Sequence, residues 1–440
     1  MNQRRVAVTG LGVISPLGIG KDAYWKALAD GRSATKHLST LDSCDLYERF
    51  DFTSNVVAEV ADFDPVAAGV PVEAQRLDRF IQFAVAGSLQ AITDAELDVG
   101  TLDRDRLGIV LSTAICGTRQ MEREFIAVTD EGKLPVDPTK VGPDLYLASM
   151  SNTPAIILAA VLGARGPCLT LSTGCIGGLD AIGYAFDSVR YGEVDVVVAG
   201  ASEAPITPIT SASFEIINCL SRRHNDRPEA ASRPFDAERD GFVLGEGCGI
   251  VVLEEWSRAK ARGARIYAEI TGFELGCNAL HMTDLLSDGA DLARTMTGAL
   301  ADGRHAPADV DHVNAHGSST PQNDRCETKA LVLALGERAR AVPINSTKSM
   351  TGHALSAASA QEIIGCALAL ERGYVHATIN YERPDPECDL DYVPNVGRPW
   401  RGDVVLSDAS GFSGLHATLA MRSPERPAGD PARAPAGEAA

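Results

Sequence analysis

Short apolar runs rich in valine, isoleucine and leucine alternate along the chain with longer stretches whose apolar positions recur at helical spacing. "RRVAVTGLGVI", "RLGIVLST", "CLTLST", "VDVVVAGA" and "GIVVLEEW" read as strands in the first half. "RIYAEITGFEL", "VDHVNAHG", "AVPINST" and "VVLSDASG" read as strands in the second. Between them, "DRFIQFAVAGSLQAITDA" and "SAQEIIGCALALERG" carry a helical pattern. Strands alternating with helices predict an α/β fold with largely buried sheets.

The pattern also repeats. "LTLSTGCIGGLDAIGYAFDSVRYGEV" and "VPINSTKSMTGHALSAASAQEIIGCALALERGYV" each run strand, Ser-Thr, glycine-containing turn, then helix. The separation, from Ser172-Thr173 to Ser346-Thr347, far exceeds the period of about 50 residues at which solenoids repeat. Two similar α/β halves packed together are expected, residues 1–255 and 256–422, divided near Trp256. The Pro-, Ala- and Gly-rich end, 423–440, has no periodicity and is expected to be disordered.

With 440 residues, 45% of them hydrophobic, the chain can bury a large core. No apolar run is long enough for a membrane helix. The N-terminal "MNQRRVAVTGLGVISPLG" reads as a strand and turn rather than a signal peptide. A formal net charge of -19 disfavours nucleic-acid binding. The cluster Arg222-Arg223-His224 with Arg227 is a candidate local basic patch for an acidic partner, and a solvated loop explains it as well. Ten cysteines are scattered singly, without a CxxC pair or a Cys/His spacing that suits zinc. That pattern fits a reduced, cytoplasmic protein without structural metal.

One cysteine stands apart. Cys175 follows a strand and Gly174, and precedes Gly177, Gly178 and a helix with Leu179, Ile182, Phe186 and Val189 on one face. A thiol at a helix N-terminus meets backbone N–H groups and the positive end of the macrodipole, so its pKa is expected below about 8.5. The glycines leave room for a substrate or another backbone. For the other nine cysteines a small core residue is the better reading.

Two histidines lie at similar junctions. His316 ends a strand in "HVNAHGSSTPQND", where α/β folds assemble sites. His353 lies in "STKSMTGHALSAASAQE", with Lys348 before it and Glu362 after it. A phosphate-binding P-loop is excluded there, because Asn345-Ser346-Thr347-Lys348 lacks the required glycine spacing. A Lys348–Glu362 ion pair that orders the His353 loop is expected instead. "GFSG" is not a serine-hydrolase elbow, and "TGLGVISPLG" lacks the third glycine of a dinucleotide fingerprint. The turn "SDASGFSGLHA" can aim a backbone N–H into a cavity. A cysteine can carry an acyl group as a thioester, and neutral imidazoles can hold a developing oxyanion.

Together, "LSTGCIGGLDAIGYA", "SRPFDAERDGFVLGEG", "NALHMTDLLSDG", "VNAHGSSTPQNDRCETKAL", "STKSMTGHAL" and "PDPECDLDYVPN" carry a resemblance. From Arg5 to about Met421 the chain resembles the β-ketoacyl synthase (ketosynthase) family of the thiolase fold, and within it the α-subunits of type II polyketide synthases. The resemblance implies a five-layered αβαβα core and a decarboxylative Claisen condensation of malonyl-acyl carrier protein. By position, Cys175 matches the acyl-accepting nucleophile, His316 and His353 the decarboxylating histidines, and Lys348 and Glu362 the pair that organises the site. The N–H groups of Cys175 and Phe412 match the oxyanion hole, Phe412 also a gate, and Thr283, Ser318 and Thr320 hydroxyls of the pantetheine channel. The implied partners are an acyl carrier protein with its phosphopantetheine arm and a paralogous chain-length-factor subunit, with no cofactor. A fatty-acid-type homodimer and a non-catalytic length-setting subunit are the alternatives, although the latter would lack Cys175. The chain departs from the family at Ile176-Gly177, in "ALSAASAQE", which is less glycine-rich than usual, and in "GFSGLHA".

Overall fold

The computed structural model describes residues 3–38 and 51–424. Residues 425–440 of the expected disordered tail, and Cys44, lie outside the described residues.

Ten strands form two sets of five. The first set is β1 (Val6–Ser15), β2 (Leu107–Ser112), β3 (Cys168–Leu171), β4 (Val196–Glu203) and β5 (Gly247–Glu255). The second is β6 (Ala268–Cys277), β7 (Val310–Asn314), β8 (Ile344–Asn345), β9 (Val404–Gly411) and β10 (Leu415–Arg422). The first set runs in the order β3-β2-β4-β5-β1 and the second β8-β7-β9-β10-β6. In each set the first three strands are mutually parallel and the last two antiparallel. The two sets therefore share one topology. They join through β1 and β6, where Val6 faces Ile270 and Val8 faces Ala268, into one continuous sheet.

Helices complete five layers. On the outer face of the first set lie α1 (Arg79–Asp94) and α2 (Thr153–Leu162). Between the two sets lies α3 (Gly177–Arg190). The outer face of the second set carries α4 (Ala290–Asp302), backed by α5 (Pro321–Leu335). Finally α6 (Ser356–Arg372) lies beside α3 in the central layer, so both helices touch both sets of strands. Alternation along the strands divides the cores accordingly. Val196 and Val198 of β4 pack outward with Phe80 and Phe83, while Val197 and Ala199 pack inward with Leu179, Ile182 and Ile363. Val405 of β9 faces the same central layer and Leu406 the outer one. This is the thiolase-like arrangement that the resemblance implied.

The sequence-read strands fall on β1 to β9, but β10 was not foreseen. Its residues are buried almost throughout, so no polar alternation marks it. Among the described residues no helix is long and apolar enough to cross a membrane.

Candidate active site

Both junctions into the central helices open on one cleft. After β3 the chain enters a single 3-10 turn, Gly174–Ile176, before α3 starts at Gly177. Gly174 adopts φ +61, a conformation that favours glycine. Cys175 therefore sits just ahead of the helix, 7% exposed. After β8 comes a short helix, Lys348–Thr351, then His353 and α6. His316 lies two residues past the end of β7. Cys175, His316 and His353 line a narrow cleft of about 40 Å³. Thr283, Ser318, Thr320 and Phe412 line it too. Thr283 and Thr320 are half-buried, and Ser318 and Thr320 share a hydrogen bond of 2.8 Å.

The backbone N–H groups of Cys175 and Phe412 both face the Cys175 sulfur. They favour the thiolate, as does the charge on Lys348, but burial outweighs them and Glu203 adds to it. The thiol is pushed up to about 11. The expected depression below the free value is thus reversed: the thiol is buried, and desolvation exceeds what two N–H groups and one helix end return. The resting group is a neutral thiol.

Both histidines are neutral as well. Burial and the Lys348 charge hold His316 and His353 well below the usual imidazole range. Their hydrogen bonds set the tautomers. Lys348 Nζ lies 3.3 Å from His316 Nδ1, and a lysine ammonium can only donate. The Leu355 backbone N–H donates to His353 Nδ1 at 3.2 Å. Each ring therefore carries its proton on Nε2. The rings stand edge to face, with centroids 5.2 Å apart. Leu355 itself adopts φ +48, a strained conformation for leucine that marks this turn as over-determined by its surroundings.

Lys348 and Glu362 pair at 2.6 Å, each side chain 1% exposed. Burial pushes the Glu362 carboxyl up to about 7 even though Lys348 opposes it. Lys348 also donates to the His316 carbonyl at 2.8 Å. The pair closes the segment that carries His353 and, because Lys348 also points across to β7, steadies the His316 loop as well.

Three carboxylates emerge only in the structure. Glu327 of α5 accepts from the N–H groups of His316 and Gly317 at 2.6 and 2.8 Å. Burial and neighbouring Asp408 push its carboxyl well above the usual range, while Asp408 is raised to about 6. Two buried carboxyls in contact share one proton. Glu203 ends β4 with no exposed surface, accepts from the Ala114 N–H and from Thr113 Oγ1, and is raised to about 7 by burial. Asp408 and Glu203 each stand alone in an apolar or small-residue run, "VVLSDASG" and "VVVAGASEA", and that isolation was the signal available. Arg222 and Arg223 are exposed just beyond Leu220, which bridges to Phe242 on the cleft wall.

A doubled five-strand topology, with a thiol at one internal junction and imidazoles at its neighbours, is the frame of a thiolase-fold condensing enzyme. Residues 3–259 match the family model described as the N-terminal domain of beta-ketoacyl synthase, and residues 267–382 match its C-terminal domain. The chain belongs to the β-ketoacyl synthase family. A putative polyketide beta-ketoacyl synthase 1 of Streptomyces cyaneus is 48% identical over 423 residues, covering 96% of this chain and 98% of that one. A solved structure of a type II polyketide synthase acyl-carrier protein in complex with its ketosynthase, bound to the hexaketide, superimposes with a TM-score of 0.90. Its matched chain is 42% identical, with 96% of this chain and 100% of that chain covered. The ishigamide ketosynthase/chain length factor gives a TM-score of 0.85 at 34% identity, covering 96% of this chain and 100% of that chain. The chain is a ketosynthase of the type II polyketide kind.

Proposed function

We propose that Cys175 attacks an acyl thioester, takes the acyl group and releases the carrier's thiol, which leaves with the cysteine proton. Malonyl-carrier protein then enters the cleft. The Nε2–H groups of His316 and His353 donate to its thioester oxygen, CO₂ departs, and the electron pair left behind attacks the acyl-cysteine carbonyl. The N–H groups of Cys175 and Phe412 hold the tetrahedral oxyanion. Collapse expels the Cys175 sulfur, which takes up one proton. The β-ketoacyl chain remains on the carrier, two carbons longer. Lys348 and Glu362 position His316, and the hydroxyls of Thr283, Ser318 and Thr320 line the path of the phosphopantetheine arm. Phe412, half-buried beside Phe214 at 6.4 Å between ring centroids, is the gate to the acyl side.

The observation that carries this reading is the tautomer pair: two neutral imidazoles fixed as Nε2 donors on the same cleft as a thiol faced by two backbone N–H groups. Exposed Arg222 and Arg223 near the cleft wall support docking of an acidic carrier protein. The edge of β3, which among the described residues has a strand on one side only, supports pairing with a chain-length-factor subunit. The division into halves near Trp256 and a cytoplasmic location belong to the same reading. Incubation of acyl- and malonyl-carrier protein with wild type and Cys175→Ala tests it. Condensation is expected in the first and none in the second; equal product from both overturns the role of Cys175.

A further inference from the structure

The peptide that links Gly174 to Cys175 is held at both ends. Its N–H faces the Cys175 sulfur. Its carbonyl oxygen accepts from the Gly177 N–H, closing the 3-10 turn, and from the Ser356 hydroxyl at 2.8 Å. A trans peptide is planar, with oxygen and hydrogen on opposite sides. Fixing the direction of the carbonyl therefore fixes the direction of the N–H. A hydrogen bond at the oxygen also polarises the amide, strengthening its N–H as a donor by about 10–30%.

Ser356 is the first residue of α6 and has no exposed surface. The fit around it is two-sided. A Cβ added at Gly177 would lie 2.1 Å from Ser112 Oγ, 2.8 Å from Ser356 Oγ and 3.1 Å from the Ser356 Cβ, so a side chain there would displace both hydroxyls. Glu203 lies within hydrogen-bond reach of the same hydroxyl. When protonated, Glu203 can donate to the Ser356 oxygen, leaving the hydroxyl hydrogen for Gly174. One helical turn further on, Ser359 Oγ accepts from the Leu179 N–H at 3.1 Å. That bond caps the first turn of α3, which has no side-chain cap of its own. Both serines lie in "ALSAASAQE", and they meet the turn that carries Ile176-Gly177. Two of the departures from the family pattern thus face each other across one contact.

We propose that Ser356 is a positioning residue for the condensation: through the Gly174–Cys175 peptide it aims and strengthens the N–H that faces the reacting carbonyl oxygen. This rests on the reading of Cys175 as the acyl-bearing nucleophile. Charge builds on that oxygen as the carbon–carbon bond forms, so a stronger N–H counts for more in the transition state than in the ground state. The effect therefore belongs in kcat rather than in KM.

Ser356→Ala deletes the hydroxyl and keeps the helix. Loss of an oxyanion-hole donor costs on the order of 10²–10³ in kcat, and weakening one through its peptide is expected to cost about tenfold, with KM for malonyl-carrier protein unchanged. The carbonyl stretch of a ¹³C-labelled acyl thioester on Cys175, read by difference infrared spectroscopy, is expected to move to higher frequency as its hydrogen bond weakens. Ser359→Ala is the comparator: it removes a helix cap, should lower the melting temperature, and should leave the band in place. Where the alanine variant does not fold, Ser356→Gly makes the same measurement. An unmoved band with unchanged kcat in a folded variant lacking the hydroxyl overturns the inference. Full condensation by Cys175→Ala overturns the underlying reading instead, so the two failures are distinguishable.

Discussion

Glu203 is a carboxyl sealed in the interior beside the nucleophile's turn, raised from 4.5 to about 7 by burial. Between those two values the native state holds a proton that the unfolded chain releases. The stability linked to that proton is present at acid pH, declines as pH rises from about 4.5 to about 7, and is gone above. The amount at stake is on the order of 3 kcal/mol. Glu203→Gln stays neutral throughout. Its melting temperature relative to wild type is therefore expected to climb between pH 5 and pH 7 and then level off; a difference that does not change with pH would count against the buried titration. At this scale the sequence offered Cys175, His316, His353 and Lys348, because each stands at a strand end or in a polar turn, and Glu362 as the carboxylate that follows them on the helix. Glu203, Glu327 and Asp408 act through contacts with residues far along the chain, and Ser356 looked like one small residue among several in a helix. Their roles depend on which backbone they meet, which spacing does not encode.

The meeting of α3 and α6 is where that backbone contact is closest. A Cβ added at Gly178 would lie 2.5 Å from the Ser356 carbonyl oxygen and 2.7 Å from the Ala360 nitrogen, both main-chain atoms. At Gly177 the atoms met are the hydroxyls of Ser112 and Ser356, at 2.1 and 2.8 Å, which can rotate. Gly178→Ala is thus expected to destabilise more than Gly177→Ala, by roughly 1–3 kcal/mol for the forced separation of two packed elements. Urea denaturation of the two variants ranks them, and the reverse order would contradict the packing described. The helices were legible as elements, from Leu179, Ile182, Phe186 and Val189 on one and the apolar run after Gln361 on the other. Their contact was not, and neither was the high pKa of Cys175. The helix end that should lower it is visible in the sequence, whereas the enclosure that raises it comes from residues on other elements, among them Phe214, Phe242, Leu355 and Phe412.

At the scale of the whole molecule, the recurrence of Ser-Thr before each central helix disclosed the duplication, and the strand order repeats it. What the recurrence could not disclose is how the halves are fastened. Arg190, at the end of α3, grips Asp302, at the end of α4, with Nη1 at 2.8 and 2.7 Å from the two carboxylate oxygens. Arg190 is 7% exposed, and Asp302 also accepts from the Phe273 N–H at 3.0 Å. Asp302→Ala leaves a largely buried guanidinium with Asp187 as its remaining carboxylate and strands the Phe273 N–H, and is expected to cost about 1–3 kcal/mol in urea denaturation; no loss would show the fastening to be dispensable. The shared central layer has a further consequence, for exchange between genes. A crossover in the connection between β5 and β6 looks harmless, since it falls between two like halves. It would nevertheless bring one parent's glycine pair at 177 and 178 against the other parent's helix beginning at 356. The halves are interchangeable as architecture but not as inheritance: whatever fills the space between them must be passed on from both sides at once.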